Sequence, residues 1–301
     1  LEWWDAAAAA PLLGRRAADS HKGTYGHLLV VAGSRGKAGA AVLAGHAALR
    51  AGAGLATVAV ARSLLASVSA RRPELMTEPL PETRAGAPAR AAARRVLTLL
   101  AGCDALAIGP GLGTSAETAA AVMAILRGRM VPAVADADAL NVIAAARRGR
   151  STAAISARRP LVLTPHPGEA SRLLGRSTET VQADRLDAAR TLAGISRAVV
   201  VLKGHRSLIA TPDGRVAVNA SGNPGMATAG TGDVLTGVLG AFLARGMSAW
   251  DAARLAVFVH GAAGDRAAHE RGEDGMIAGD LLDRLPDAML SLATVGTRDD
   301  G

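Results

Sequence analysis

An open, mostly parallel α/β sheet with helices on both faces is the fold this sequence predicts, on three observations. Short, wholly apolar runs recur along the chain, as strands buried on both faces require. They alternate with stretches of helical composition, the pattern left by crossover connections. Gly-rich or charged motifs follow directly on the apolar runs, and a parallel sheet collects such loops along one edge, where its ligands bind.

The elements follow in order. Residues 1–20 read as a short helix and a polar approach. Leu28-Leu29-Val30-Val31-Ala32 is the first strand, entirely aliphatic and stopped by Gly33. Residues 40–53 have helical composition, and 56–61 form a second strand with alternating β-branched side chains. The Ala- and Arg-rich stretch 85–94 reads as a loop leading into a helix over 90–101. Ala105-Leu106-Ala107-Ile108 is a strand running into Gly109-Pro110-Gly111-Leu112-Gly113, and a helix follows over 115–127. The strand over 131–135 runs into Asp136-Ala137-Asp138, and Leu161-Val162-Leu163 runs into Thr164-Pro165-His166-Pro167-Gly168-Glu169. A helix over 178–194 precedes a strand over 198–202 and then Lys203-Gly204. Leu208-Ile209-Ala210 and the run 215–218 flank Pro212-Asp213-Gly214, a hairpin signal. Helices dominate from Val234 to the end. The stretch 136–215 shows no linker-like composition, so 21–290 reads as one domain with an N-terminal extension (1–20) and a C-terminal tail (291–301).

Composition narrows the function classes. Half of the 301 residues are hydrophobic but only 2% are aromatic, so the core must be aliphatic. The net charge of +8 is almost all arginine, scattered in pairs such as Arg15-Arg16, Arg71-Arg72 and Arg147-Arg148. No run of five basic residues and no interleaved aromatics appear, which argues against a nucleic-acid groove but is compatible with anionic ligands. The three lysines, Lys22, Lys37 and Lys203, all fall in Gly-containing motifs. Where arginine is otherwise used, a lysine suggests a need for a compact point charge. The single cysteine, Cys103, excludes an internal disulfide and a Cys-based zinc site and reads as a small buried apolar residue. No signal peptide is visible, and the apolar stretch 38–61 carries His46, Arg50 and several glycines, so it does not read as a membrane span. A cytoplasmic protein is expected.

The most informative stretch is Gly230-Thr231-Gly232-Asp233, followed directly by an apolar, helix-compatible run. Two glycines let backbone N–H groups turn toward one point, and the start of a helix adds positive dipole character; together they bind an anion, most often phosphate. A carboxylate repels phosphate, so Asp233 needs another task. Taking the proton from a hydroxyl about to attack that phosphate is the economical one.

The other motifs supply candidates for the same cleft. Gly33-Ser34-Arg35-Gly36-Lys37 fails both the P-loop and the G-x-G-x-x-G spacing, which leaves a tight turn near a ligand or a plain connection. Gly109-Pro110-Gly111-Leu112-Gly113 suits close backbone approach to a ligand. Asp136 and Asp138 suit acid–base work or magnesium, or one of them caps the next helix. His166 and Glu169 have the spacing of a metal pair, but Pro165 and Pro167 rule out a regular helix presenting both on one face; His166 reads as a rigid ligand contact. Lys203, Gly204, His205, Arg206 and Ser207 offer cations and a hydroxyl to the phosphate or adenine side of a nucleotide. His260 and Asp265 read as helical residues near the core.

Taken together, the motifs resemble the ADP/ATP-dependent NAD(P)H-hydrate dehydratase family of the ribokinase-like superfamily. The resemblance spans about 20–285. It rests on HKGTYG at 21–26, AGS and GAA within 32–41, GPGLG at 109–113, DADALN at 136–141, TPHPGE at 164–169, VLKG at 201–204 and GNPGMATAGTGDVLTG at 222–237. Ala229 departs from the glycine the family commonly shows before GTGD, a small change.

The resemblance implies a ribokinase-like α/β fold and a hydro-lyase. It would remove water from (6S)-NADH-hydrate and (6S)-NADPH-hydrate at the expense of ADP (or ATP), giving NADH or NADPH, AMP and phosphate. It also implies Asp233 as base, with Gly230 and Gly232 forming the anion hole. Ala40, Gly111, His166 and Asp233 would contact the hydrated dinucleotide, and Lys203, Gly204, His205, Arg206, Ser207 and Gly232 the AMP portion. Magnesium is implied, with its ligands unassigned. So are a homotetramer and a stand-alone dehydratase served by a separate epimerase. Two other readings stay open: a ribokinase-like kinase of a hydroxyethylthiazole or hydroxymethylpyrimidine type, and a non-catalytic nucleotide sensor.

Overall fold

A computed structural model describes residues 1–147 and 159–295. Arg148 and the last part of the expected tail, 296–301, lie outside the described residues. The chain runs β1 (Glu2–Trp4), α1 (Ala6–Ala9), β2 (His27–Val31), α2 (Ala38–Arg50), β3 (Leu55–Ala61), α3 (Leu65–Ser69), β4 (Met76–Leu80), α4 (Ala92–Leu99), β5 (Ala105–Ile108), α5 (Ala116–Gly128), β6 (Ala133–Ala135) and α6 (Asp138–Arg147). It continues through β7 (Leu161–Leu163), α7 (Pro167–Leu174), α8 (Thr178–Ala183), α9 (Arg185–Ser196), β8 (Val199–Leu202), β9 (Leu208–Ala210), β10 (Val216–Asn219), α10 (Thr231–Ala244), α11 (Ala249–Arg271) and α12 (Ala278–Val295).

The strands make one ten-stranded sheet in the order β1-β10-β9-β8-β7-β6-β5-β2-β3-β4. Only β9 runs antiparallel to its neighbours, as the Pro212-Asp213-Gly214 turn requires. Alternation along each strand splits the core in two. Leu28, Val30, Ala105 and Ala107 pack under α2 and α10–α12, whereas Leu29, Val31, Leu106 and Ile108 pack under α4–α7 and α9. The expected open α/β sheet, covered on both faces, is therefore the observed one.

The parallel pairing of β2, β5, β6, β7 and β8 puts their C-terminal ends on one edge. The glycine motif after β2, Gly109–Gly113, Asp136–Asp138, Thr164–Glu169 and Lys203-Gly204 thus share that edge. β2 lies between β3 and β5, and the chain builds outward in opposite directions from there. This reversal is the position at which open α/β sheets bind ligands. The two loops at the reversal are stitched together. Gly33 donates its N–H to the Pro110 carbonyl at 2.8 Å, and the Ser34 hydroxyl donates to the Gly111 carbonyl at 2.7 Å.

Several elements differ from the sequence reading. Residues 2–4, expected to be helical, form β1 and pair with β10, with α1 following. β4 and α3 were not anticipated; β4 contains Pro79, which a strand tolerates at the sheet edge. The helix expected over 178–194 breaks at Asp184, whose carboxylate accepts from the Asp187 N–H and caps α9. The strand expected over 131–135 is shorter, and α4 starts at Ala92 rather than at 90. Cys103 is half-buried rather than buried, and burial raises its pKa to about 11, which keeps it protonated and unreactive.

α2 and α10, the helices that begin at the loop edge, pack so closely that Gly237 leaves no room for a side chain. A Cβ there would meet the Ala44 carbonyl oxygen at 2.1 Å and the Ala47 Cβ at 2.9 Å. Gly237→Ala should therefore destabilise by about 1–3 kcal/mol through overpacking, against the roughly 1 kcal/mol that alanine gains in an open helix. Urea midpoints test this, and a raised midpoint would show that the two helices separate freely.

Candidate active site

Asp233 occupies the first turn of α10. Gly230 is the N-cap residue with φ +91, and no side chain caps the helix, so the N–H groups of its first turn stay available to an anion. The Thr231 hydroxyl turns back to the carbonyls of Met226 (2.9 Å) and Thr228 (3.0 Å), fixing the preceding loop. His260, from α11, holds the same turn: its Nε2 lies 2.8 Å from the Thr231 carbonyl. Burial lowers the His260 pKa to about 4, so the ring is neutral and donates its Nε2 proton there.

Beneath this turn lies a buried ion pair. Asp136, only 1% exposed, accepts from Lys203 Nζ at 2.8 Å and from the Thr236 hydroxyl at 2.7 Å. Burial alone would raise the Asp136 pKa; the Lys203 charge and the hydrogen bonds outweigh it and hold the carboxyl low. Burial likewise opposes the Lys203 charge, but Asp136, Glu169 and Asp233 together keep its pKa raised. Gly232 sits directly above: a Cβ on it would lie 3.4 Å from Lys203 Nζ. For Asp233 the compensation falls short. Burial first, then the Asp136 charge, push its pKa up to about 6 against the pull of Lys203, with Asp138 adding to the rise.

Backbone geometry aims the two aspartates of the β6 motif apart. Ala137 between them takes φ +49, a left-handed conformation costly for a residue with a Cβ. Gly109, at φ +135, lets β5's loop cross the Asp136 carbonyl, which a Cβ would meet at 1.8 Å. Asp136 turns inward, while Asp138 accepts from the Gly113 N–H at 2.7 Å and faces Lys37 Nζ at 3.6 Å. Two of the three lysines therefore lie at the candidate site; Lys22 is an exposed residue of a single 3-10 turn.

His166 is the N-cap residue of α7, and Pro167 is compatible with the first helical position, where an N–H would be orphaned anyway. The prolines do keep His166 out of a helix, but the pairing with Glu169 forms nonetheless through a reciprocal cap. The His166 N–H donates to Glu169 at 2.9 Å, and the Gly168 N–H donates to His166 Nδ1 at 3.1 Å. The ring proton therefore sits on Nε2, 3.3 Å from the second Glu169 oxygen. Burial, with Lys203 and Arg172, lowers the His166 pKa, so a neutral, half-exposed imidazole faces the cleft.

A cavity of about 430 Å³ opens beside Lys203 and Gly232. Lys203, Gly204, His205, Arg206, Ser207 and Gly232, six residues singled out from the sequence, all line it, with Asn219, Met226, Leu235 and His260. Arg185 of α9 shapes the loop from below by donating to the carbonyls of His205 and Leu202. Asp265 tethers the opposite wall, accepting from the Gly222 N–H (2.9 Å) and the Asn223 amide (3.0 Å). On the other side, Ala40 and Gly111 are neighbours: a Cβ on Gly111 would lie 3.2 Å from that of Ala40 and 3.0 Å from that of Lys37.

Among the described residues no three His, Cys, Asp or Glu side chains gather into a metal cage. Both Asp136 oxygens already have partners, and Asp138 is engaged by Gly113 and Lys37. The donor set suits a magnesium ion that takes most of its ligands from nucleotide phosphates and water and at most one or two carboxylates from protein. Thr236, His260 and Arg185 went unrecognised as site residues, although Thr236 follows Asp233 within the same motif and His260 opens the HGAAGD stretch.

Known proteins resemble this chain in sequence and fold. The profile of a family described as NAD(P)H-hydrate dehydratase matches residues 28–287. A bifunctional NAD(P)H-hydrate repair enzyme of Moorella thermoacetica is 50% identical over 280 residues, 93% of this chain and 52% of that protein. An ADP-dependent (S)-NAD(P)H-hydrate dehydratase of Neisseria meningitidis is 42% identical over 269 residues, 88% of this chain and 86% of that one. The chain spans about half the length of the bifunctional relatives it matches. Among solved structures, the ADP/ATP-dependent NAD(P)H-hydrate dehydratase of Bacillus subtilis, co-crystallised with ATP/Mg2+, superposes with a TM-score of 0.82 at 31% identity, covering 97% of this chain and 99% of that one. A matched profile over most of the length, on a ribokinase-like sheet with the motifs converged at one edge, shows that this chain belongs to the NAD(P)H-hydrate dehydratase family.

Proposed function

We propose that the protein dehydrates (6S)-NADH-hydrate and (6S)-NADPH-hydrate with ADP as phosphoryl donor, releasing AMP and phosphate. One observation carries this reading: Asp233, its pKa raised to about 6, stands at an uncapped helix start, directly after Gly232 of the cavity wall and within the electrostatic reach of Asp136, Lys203 and Asp138. A base with a pKa just below neutral is ionised at pH 7 yet basic enough to accept a hydroxyl proton.

Hydroxide leaves carbon poorly, whereas a phosphate ester leaves readily. Asp233 takes the proton of the ring hydroxyl, whose oxygen attacks the β-phosphorus of ADP and displaces AMP. The N–H groups around Gly230–Asp233 and the Lys203 ammonium meet the charge of the transferring group. The C6–O bond then breaks as the ring nitrogen lone pair pushes out phosphate, and loss of the C5 proton restores the double bond. Ala40, Gly111 and neutral His166 are assigned to the dinucleotide. Lys203, Gly204, His205, Arg206, Ser207 and Gly232 are assigned to the AMP portion. Magnesium, taking at most one or two carboxylates of this site, would neutralise charge on the nucleotide phosphates when bound.

The reading extends to a cytoplasmic homotetramer served by a separate epimerase. In this structure no helix of the described residues is long and apolar enough to cross a membrane. Incubating hydrated NADH with ADP and magnesium should regain absorbance at the NADH wavelength, with one AMP and one phosphate per NADH formed. ATP in place of ADP ranks the donors. No recovery, with a stable phosphate ester accumulating on another alcohol, would favour the kinase reading.

A further inference from the structure

At the sheet edge opposite the cleft lies a second cavity, about 380 Å³, lined by Arg15, Arg16, Arg50 and Arg245. It sits where α2 and α10 end: Arg50 closes α2, and Arg245 follows α10 directly. The same two helices begin at the cleft, so this cavity and the catalytic one are at opposite ends of one packed pair.

Two of the four guanidinium groups are held in place. Arg16 donates to the Gly52 carbonyl at 2.8 Å and stacks 3.9 Å over the Tyr25 ring. Arg245 reaches the Ala51 carbonyl at 3.4 Å, with Tyr25 at 5.9 Å. Those contacts cap the end of α2 and leave most of the N–H groups of each fork unused. The other two, Arg15 and Arg50, are exposed. Among the described residues none of the four has a carboxylate within ion-pair distance, although the chain pairs Arg95, Arg176, Arg254 and Arg284 with acids elsewhere. Burial lowers the Arg245 pKa, and the neighbouring Arg16 charge adds to it. The remaining wall is aliphatic, from Leu49, Met289 and Leu290, the last of these 67% exposed.

We propose that this cavity is a second ligand site, separate from the catalytic cleft, which takes a phosphate monoester carrying an apolar chain. Paired guanidinium forks match phosphate oxygens bidentately, and the aliphatic wall covers the chain.

Calorimetric titration with decyl phosphate, below its micelle concentration, tests the site on the full chain without any turnover. One equivalent should bind, at least about tenfold tighter than inorganic phosphate. The double variant Arg15→Ala/Arg50→Ala removes only exposed side chains and should weaken decyl phosphate at least about tenfold. Arg206→Ala, in the cleft cavity, should leave it unchanged. Absence of binding to the wild type would overturn the proposal. So would loss of binding in Arg206→Ala with none in the double variant, since that would place the ligand in the cleft. Neither result bears on dehydration of the hydrates, which is read separately.

Discussion

Asp233→Asn is expected to lower kcat by about 10²–10⁴-fold, the range for removing a positioned base, while AMP binding changes little. Asparagine keeps the shape and loses the basicity. In the wild type, kcat/KM should rise with pH through a single ionisation near 6, because Asp233 must be ionised to act and its pKa is raised to about 6. The variant should lack that limb. Stability should move the other way. A carboxyl whose folded pKa exceeds its unfolded value destabilises the fold at pH above the unfolded value, and the effect is complete above the folded one. Removing the charge should thus stabilise the protein at pH 7 by about 1–3 kcal/mol. Wild-type turnover in Asp233→Asn would remove Asp233 as the base, whatever the reaction.

Lys203→Met should give the largest loss of stability. It leaves Asp136, 1% exposed, as a buried charge with only neutral hydroxyls, those of Thr236 and Thr164, against it. Breaking a buried pair from one side costs about 3–5 kcal/mol, which for a chain of this size lowers Tm by about 6–20 °C at some 2–4 °C per kcal/mol. The double variant Asp136→Asn/Lys203→Met should recover much of the loss, since the charge Lys203 pairs most closely is removed with it. The pH dependence has a definite sign. Folding lowers the Asp136 pKa, so its stabilisation is present above the unfolded carboxylate value and disappears as pH falls through the folded one. An Asp136→Asn/Lys203→Met protein no more stable than Lys203→Met would show that the pair's charge is not what holds this floor together.

The strands that carry the site were legible because burial on both faces makes them wholly aliphatic, as in Leu28–Val31 and Ala105–Ile108. Their loops were legible because glycine and proline mark sharp turns. β1 and β4 were not, since edge strands keep polar residues and prolines that central strands exclude. Asp233 stood out because a carboxylate inside an anion-binding turn needs a reason. Asp136 was visible only as one of two equivalent acids. What separates it from Asp138 is the left-handed turn at Ala137 and the arrival of Lys203 from a strand 67 residues away, and sequence spacing carries neither. Thr236 and His260 each act through one long-range hydrogen bond and Arg185 through several to the loop after β8, and nothing local distinguishes them from ordinary helix residues. The prolines were expected to rule out a regular helix presenting His166 and Glu169 on one face. A proline at the first helical position instead starts the helix whose cap joins the two.

The central claim is that Asp233 turns a ring hydroxyl into a nucleophile toward phosphorus, so that the oxygen leaves as part of phosphate. Hydrated NADH carrying heavy oxygen in its ring hydroxyl, turned over with unlabelled ADP, tests this directly by mass analysis of the released phosphate. The account predicts one heavy oxygen in each inorganic phosphate. Unlabelled phosphate, with the heavy oxygen in water, would mean direct elimination and would contradict it.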